Sequence, residues 1–205
     1  MTTAKLETAV RQEQIAQAAL DIVSSNGLSG LSIAAIADRI GLVPSAIYRH
    51  FNGKEDVLDA VIELIHVRLT NNVAAIKEEI SDPIERLRTL LMRHISMIKE
   101  NKGIPRIIFA EDVYESKPER KEKIYGNING YLNSVSEILR DGQETGTIRK
   151  DIDSKALSVM FLGLVQPSAI LWHFSNGVFD VLDQAKIAWR VFEDEIRVKE
   201  SSPCF

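Results

Sequence analysis

Helical periodicity runs through almost the whole chain, and no segment sustains the apolar–polar alternation of a strand, which restricts the fold to an all-α architecture. Turn-forming residues punctuate the pattern at Asn26-Gly27, Gly30, Gly41, Asn52-Gly53, Asp82-Pro83, Gly103, Lys117-Pro118, Gly142, Gly146 and Asn176-Gly177. They delimit about nine helices, near 5–25, 32–40, 44–50, 54–79, 83–100, 103–113, 118–143, 153–175 and 180–199. The first helix carries an apolar stripe of Ala9, Ile15, Ala16, Ala19, Leu20 and Val23, and Asn26-Gly27 ends it as a left-handed C-cap would. The fifth repeats the device with Ile84, Leu87, Leu90, Leu91, His94, Ile95 and Ile98. The early helices are short and closely joined and the later ones long, so the chain is expected to divide into residues 1–53 and 54–205.

Of the 205 residues, 45% are hydrophobic and 26% charged, enough to bury a core and too apolar for disorder. The single cysteine, Cys204, cannot form an intramolecular disulfide, and MTTAKLETAVRQEQ has no apolar core or cleavage pattern. Both point to a cytoplasmic protein in a reducing compartment. Net charge is −4, which by itself argues mildly against nucleic acid, but the acidity is unevenly spread. Through Lys54 the chain has Lys5, Arg11, Arg39, Arg49 and Lys54 against Glu7, Glu13, Asp21 and Asp38, and phosphate binding depends on local charge.

The informative window is LSIAAIADRIGLVPSAIYRHFNGKEDVL. Ser32 suits an N-cap, and Ile33, Ile36, Ala37 and Ile40 are placed to face a core. Ala37 is small where a second helix must cross, Gly41 gives a tight turn its backbone freedom, and Pro44 fits the first turn of the next helix. With Ile47 and Phe51 pointing inward, Ser45, Ala46, Tyr48, Arg49 and His50 are left to solvent or DNA.

The run from Ser32 to Leu58 resembles the DNA-binding motif of the tetracycline-repressor (TetR) family in Ile36-Ala37, Gly41, Ile47-Tyr48, His50-Phe51 and Lys54-Glu55. The resemblance implies that Tyr48 meets a phosphate or a base edge, that His50 and Lys54 meet phosphates, and that Ser32 places its cap on another. Ser45 and Ala46, opening the recognition helix, would approach base edges, Ala46 meeting a thymine methyl. Two positions depart from the family: Val43 replaces the usual Ser or Thr cap, and Ala34 a frequent arginine. Both imply modest affinity or stringent salt dependence.

Beyond residue 54 no catalytic constellation, Gly-rich phosphate loop or paired metal-ligand spacing occurs, so neither enzyme activity nor a cofactor or metal is expected. His66, His94 and His173 fall on three different helices. From Ala156 to Phe179 there is no charge, a length that could span a bilayer, but Gln166, Pro167, Ser168, His173 and Asn176 interrupt it and we expect no membrane span. A helix apolar all round is buried on every side, either within one domain or against a partner. The last helix adds a stripe of Val181, Leu182, Ala185, Ala188, Trp189, Phe192 and Ile196. The resemblance implies that helices 153–175 and 180–199 pair with their symmetry mates in a homodimer. Gly163 and Pro167, four apart, predict a kink.

The resemblance further implies a small-molecule effector among the fifth to eighth helices, lined by Leu91, His94, Ile95, Ile98, Ile107, Phe109, Tyr125, Ile128, Phe161, Gln166 and Trp172. His94, Tyr125 and Gln166 would orient the ligand; equally, such residues are what any core contains. The reading is therefore a repressor that binds inverted-repeat operator DNA as a dimer and is released by a largely apolar effector. The alternative is a nucleoid- or division-associated DNA-binding protein with no effector. A helical enzyme is disfavoured because no acid–base or nucleophile set can be named.

Overall fold

The computed structural model describes residues 3–115 and 117–198, with side chains from residue 7 onward; Cys204 lies outside the described residues. Helices α1 (Thr3–Asn26), α2 (Ile33–Arg39), α3 (Pro44–Ile47), α4 (Lys54–Glu79), α5 (Pro83–Glu100) and α6 (Gly103–Ile108) are followed by α7 (Asp112–Glu115), α8 (Pro118–Thr145), α9 (Ser154–Gly163), α10 (Gln166–Phe174) and α11 (Val181–Ile196). A single 3-10 turn covers Leu28–Gly30. Among the described residues the only extended pairing is an isolated antiparallel bridge between Ile148 and Arg197, so the all-α expectation holds.

The chain forms two compact units, each of two stretches: Met1–Arg68 with Ile98–Asn127, and Leu69–Met97 with Ile128–Phe205. In the first unit, α1 buries Ile15, Ala16, Ala19, Leu20 and Val23 as its spacing requires, whereas Ala9 stays exposed. Gly103 lets α6 approach α1 closely, since a Cβ there would lie 2.5 Å from the Leu20 carbonyl oxygen. Arg106 then donates from Nη1 to the carbonyls of Val23 (3.0 Å) and Ser24 (3.1 Å), a cation at the carbonyl end of α1.

Two expected helices are each split. The segment 103–113 breaks after Ile108, where the Tyr114 hydroxyl donates to the Ile108 carbonyl. The kink expected at Gly163–Pro167 falls between α9 and α10, where Leu164 and Val165 keep right-handed helical dihedrals. Pro167 has no N–H for the Gly163 carbonyl, and the chain tightens to i−3 bonds from Leu164 to Phe161 (3.1 Å) and from Val165 to Leu162 (3.0 Å). The stretch Ser154–Phe174 is long and apolar enough to cross a bilayer by composition, yet Leu157, Phe161, Val165, Ala169 and Trp172 are buried within the protein.

In the second unit α5 buries its whole predicted stripe from Ile84 to Ile95. Past α8 the chain turns through Gly146 (φ +79°) and folds Ile148 back onto Gly142. Gln143 ties this turn with bonds to the carbonyls of Arg149 (3.0 Å) and Ile152 (2.8 Å). The α11 stripe is used internally: Val181, Ala185, Trp189, Phe192 and Ile196 are buried in the chain itself, with Phe192 edge-on to Phe161. At these positions the chain itself supplies the cover.

Candidate nucleic-acid interface

The helix-turn-helix forms from local interactions that the sequence dictates. The Ser32 hydroxyl accepts from the Ala35 N–H at 3.1 Å and starts α2. Gly41 takes φ +68°, in the left-handed region where a Cβ is strained, and the Leu42 N–H closes the turn on the Ala37 carbonyl at 2.8 Å. Val43 offers no side-chain cap to α3, as its hydrocarbon side chain requires; Pro44 occupies the first turn instead. Beyond Ile47 the regular helix gives way to turns, with N–H bonds from His50 and Phe51 to the Ile47 carbonyl at 2.9 and 3.1 Å.

Ile36, Ala37, Ile47 and Phe51 are buried, and Ile33 and Ile40 half-buried. This anchoring leaves Ser32, Ser45, Tyr48 and Arg49 exposed and Ala46, His50 and Lys54 half-exposed. Tyr48 is 56% exposed, a large aromatic held outward beside a buried Ile47. The Nδ1 of His50 is enclosed with no hydrogen-bond partner. Apart from Ser32, which caps α2, the sequence-derived DNA-contact candidates lie on or just after the short α3 and at the start of α4.

The effector-site candidates are divided. Leu91, His94, Ile95, Phe161 and Trp172 are buried in the second unit, where Ile128 is half-buried and Gln166 exposed. Ile98 and Ile107 are buried in the first unit, whereas Phe109 and Tyr125 there are exposed. His94 has a partner that sequence reasoning missed: its Nδ1 lies 3.1 Å from the Tyr131 hydroxyl, with the rings edge-to-face at 5.4 Å. Burial pushes the His94 imidazole down to about 4, keeping it neutral, and raises the Tyr131 phenol. Spacing could have found Tyr131, which stands seven residues after buried Ile124 on the inner face of α8; Tyr125 is one residue off that face.

A Ser32-capped α2, a tight turn through Gly41 and a short α3 with an outward aromatic define a helix-turn-helix DNA-binding protein. Residues 15–61 match the profile of the bacterial regulatory proteins of the tetR family, and residues 46–194 that of the YsiA-like protein, C-terminal region. The chain belongs to the TetR family of transcriptional regulators.

It is 25% identical over 172 residues to the fatty acid metabolism regulator protein of Bacillus subtilis (strain 168), covering 82% of this chain and 87% of that one. It is 26% identical over 190 residues to the nucleoid occlusion factor SlmA of Vibrio cholerae serotype O1, covering 91% and 96%. The fatty acid degradation regulator FadR of Bacillus halodurans superposes with a TM-score of 0.75 at 25% identity, covering 92% of this chain and 97% of that one. The FadR of Bacillus subtilis, in complex with stearoyl-CoA, superposes at 0.73 with 23% identity, covering 90% and 99%, and shares the fold.

Proposed function

We propose that the protein is a cytoplasmic homodimeric repressor, held on inverted-repeat operator DNA and released by a small, largely apolar effector. The observation that carries this reading is the outward set Ser45, Tyr48 and Arg49 on a recognition segment anchored by Ile47 and Phe51. In it Ser45 and Ala46 approach base edges, Tyr48 a base edge or phosphate, and Ser32, His50 and Lys54 phosphates. With Nδ1 of His50 enclosed, Nε2 is the nitrogen left for that contact. Residues 1–53 read DNA, and residues 54–205 bind effector and partner.

The dimer is supported by apolar side chains that the chain leaves uncovered on α9, α10 and α11: Val159, Met160, Ile170, Leu171, Phe174, Ile187 and Val191. Pairing them about a two-fold axis presents two equivalent recognition helices, suited to half-sites about 34 Å apart. For the effector, the second unit's buried Leu91, His94, Ile95, Phe161 and Trp172 give apolar walls with one polar pair, His94–Tyr131, to orient a ligand. Matches to fatty-acid regulators favour a long acyl chain.

Selection from a random duplex pool should enrich an inverted repeat. Adding a long-chain acyl-CoA should then weaken binding by about 5- to 150-fold, the range of 1–3 kcal/mol of coupling. Enrichment of single asymmetric sites refutes the dimer docking. Saturable DNA binding that no acyl compound alters favours the effector-free, nucleoid-associated reading instead.

A further inference from the structure

Within the first unit, three carboxylates on the opening turns of α4 meet two cations at the start of α8. Arg120 is 2% exposed. Its Nε donates to Asp59 (2.6 Å) and its Nη1 to the Glu55 carboxylate (2.6 Å) and the Val113 carbonyl (3.1 Å). Its Nη2 donates to the Glu55 carbonyl at 2.7 Å. Lys117 donates to Asp59 at 2.9 Å and lies 3.6 Å from Asp56. Asp56 in turn accepts from the side chain (2.7 Å) and the backbone N–H (3.1 Å) of Asn52, the residue directly after the recognition segment.

The placement runs against ordinary preference. Cations at a helix start oppose the dipole, and a buried guanidinium is stable only when its geometry and partners are close to ideal. Well-packed apolar residues often serve as well in such a place. What the charges add is direction: the bonds of Lys117 and Arg120 fix atoms of α4 at set distances from the start of α8, and Asp56 passes the constraint to Asn52. Base-edge readout is sensitive to such placement, whereas phosphate attraction tolerates small shifts.

We propose that Lys117 and Arg120 are positioning residues for operator recognition, fixing the exit of the recognition helix through Asp56 and Asn52 and the first turns of α4 through Glu55 and Asp59. The proposal rests on the DNA-binding reading and adds that selectivity, more than bulk DNA affinity, depends on this cluster.

The test uses the full-length protein and compares the Kd for the duplex that wild type selects with that for a scrambled duplex of equal length, at one salt concentration. Lys117→Met and the neutral triple variant Glu55→Gln/Asp59→Asn/Arg120→Met should each lower the selected-to-scrambled ratio about tenfold or more. Scrambled-duplex affinity should stay within about threefold, and Lys117→Arg should retain the wild-type ratio. Folded Lys117→Met with wild-type selectivity overturns the proposal. Should the triple variant unfold, the half-exposed Lys117 decides alone. If wild type selects no duplex, the DNA reading itself fails, and amide exchange of the free protein still judges the cluster. Protection over residues 48–53 should fall about tenfold in Lys117→Met, and unchanged protection refutes it.

Discussion

Lowering the pH from 7 to 5 should weaken the fold by about 2 kcal/mol through His94 alone. Burial holds this imidazole at about 4 in the folded protein, against about 6.5 in an unfolded chain. Between those values the unfolded chain binds the extra proton, so the stability associated with neutral His94 is complete above pH 6.5 and drains away as the pH falls toward 4. Integrating the difference in bound protons from pH 7 to pH 5 gives about 2 kcal/mol, with a slope just over 1 kcal/mol per pH unit near pH 5. The residue is 7% exposed, so solvent screening does little to reduce this.

The assay is urea unfolding at both pH values for wild type and His94→Leu, at equal protein concentration because dimerisation couples to stability. Loss of the Tyr131 bond costs the variant stability at both pH values and cancels in the comparison. His50, His66 and His173 are common to both proteins. Wild type should lose about 2 kcal/mol more than His94→Leu between pH 7 and pH 5. Equal losses within about 0.5 kcal/mol would refute the argument that this histidine is buried neutral.

Glycines of α8 should respond in opposite directions. Gly142→Ala would place a Cβ 2.4 Å from Cδ1 of buried Ile148 and should destabilise by about 1–3 kcal/mol in urea. Gly126→Ala and Gly130→Ala meet open space and should each stabilise by about 0.5–1 kcal/mol. Leu171→Asp or Phe174→Asp should shift sedimentation from dimer to folded monomer, since Phe174 is 78% exposed. Trp189→Glu, buried inside the chain, should unfold the protein instead. Tyr48→Ala should weaken operator binding without moving the melting temperature, and Lys54→Ala should lower the salt slope by about one phosphate contact.

Features set by near neighbours were legible in the sequence. The Ser32 cap, the Gly41 turn and the burial of Ile47 and Phe51 follow from bonds spanning five residues or fewer, so residue type and spacing suffice. The break after Ile108 was not, since no Gly or Pro follows it to mark a stop. The α11 stripe announced a buried face but not its cover, and Phe161 of the same chain lies against it. Arg120 hides best of all. In KPERKEK it reads as one more solvated charge, and its carboxylate partners stand 61 and 65 residues earlier.

The Arg120 cluster also sets a rule for building hybrid regulators. A junction at Lys54 looks natural, since it follows the whole helix-turn-helix. Such a graft would take Asn52 from one parent and Asp56, Lys117 and Arg120 from the other, dividing a matched set of donors and acceptors. A graft that transfers residues 1–68 together with 98–127 keeps the set from one parent. On the proposed positioning role of Lys117 and Arg120, the part to transfer is thus larger than residues 1–53 and discontinuous in sequence.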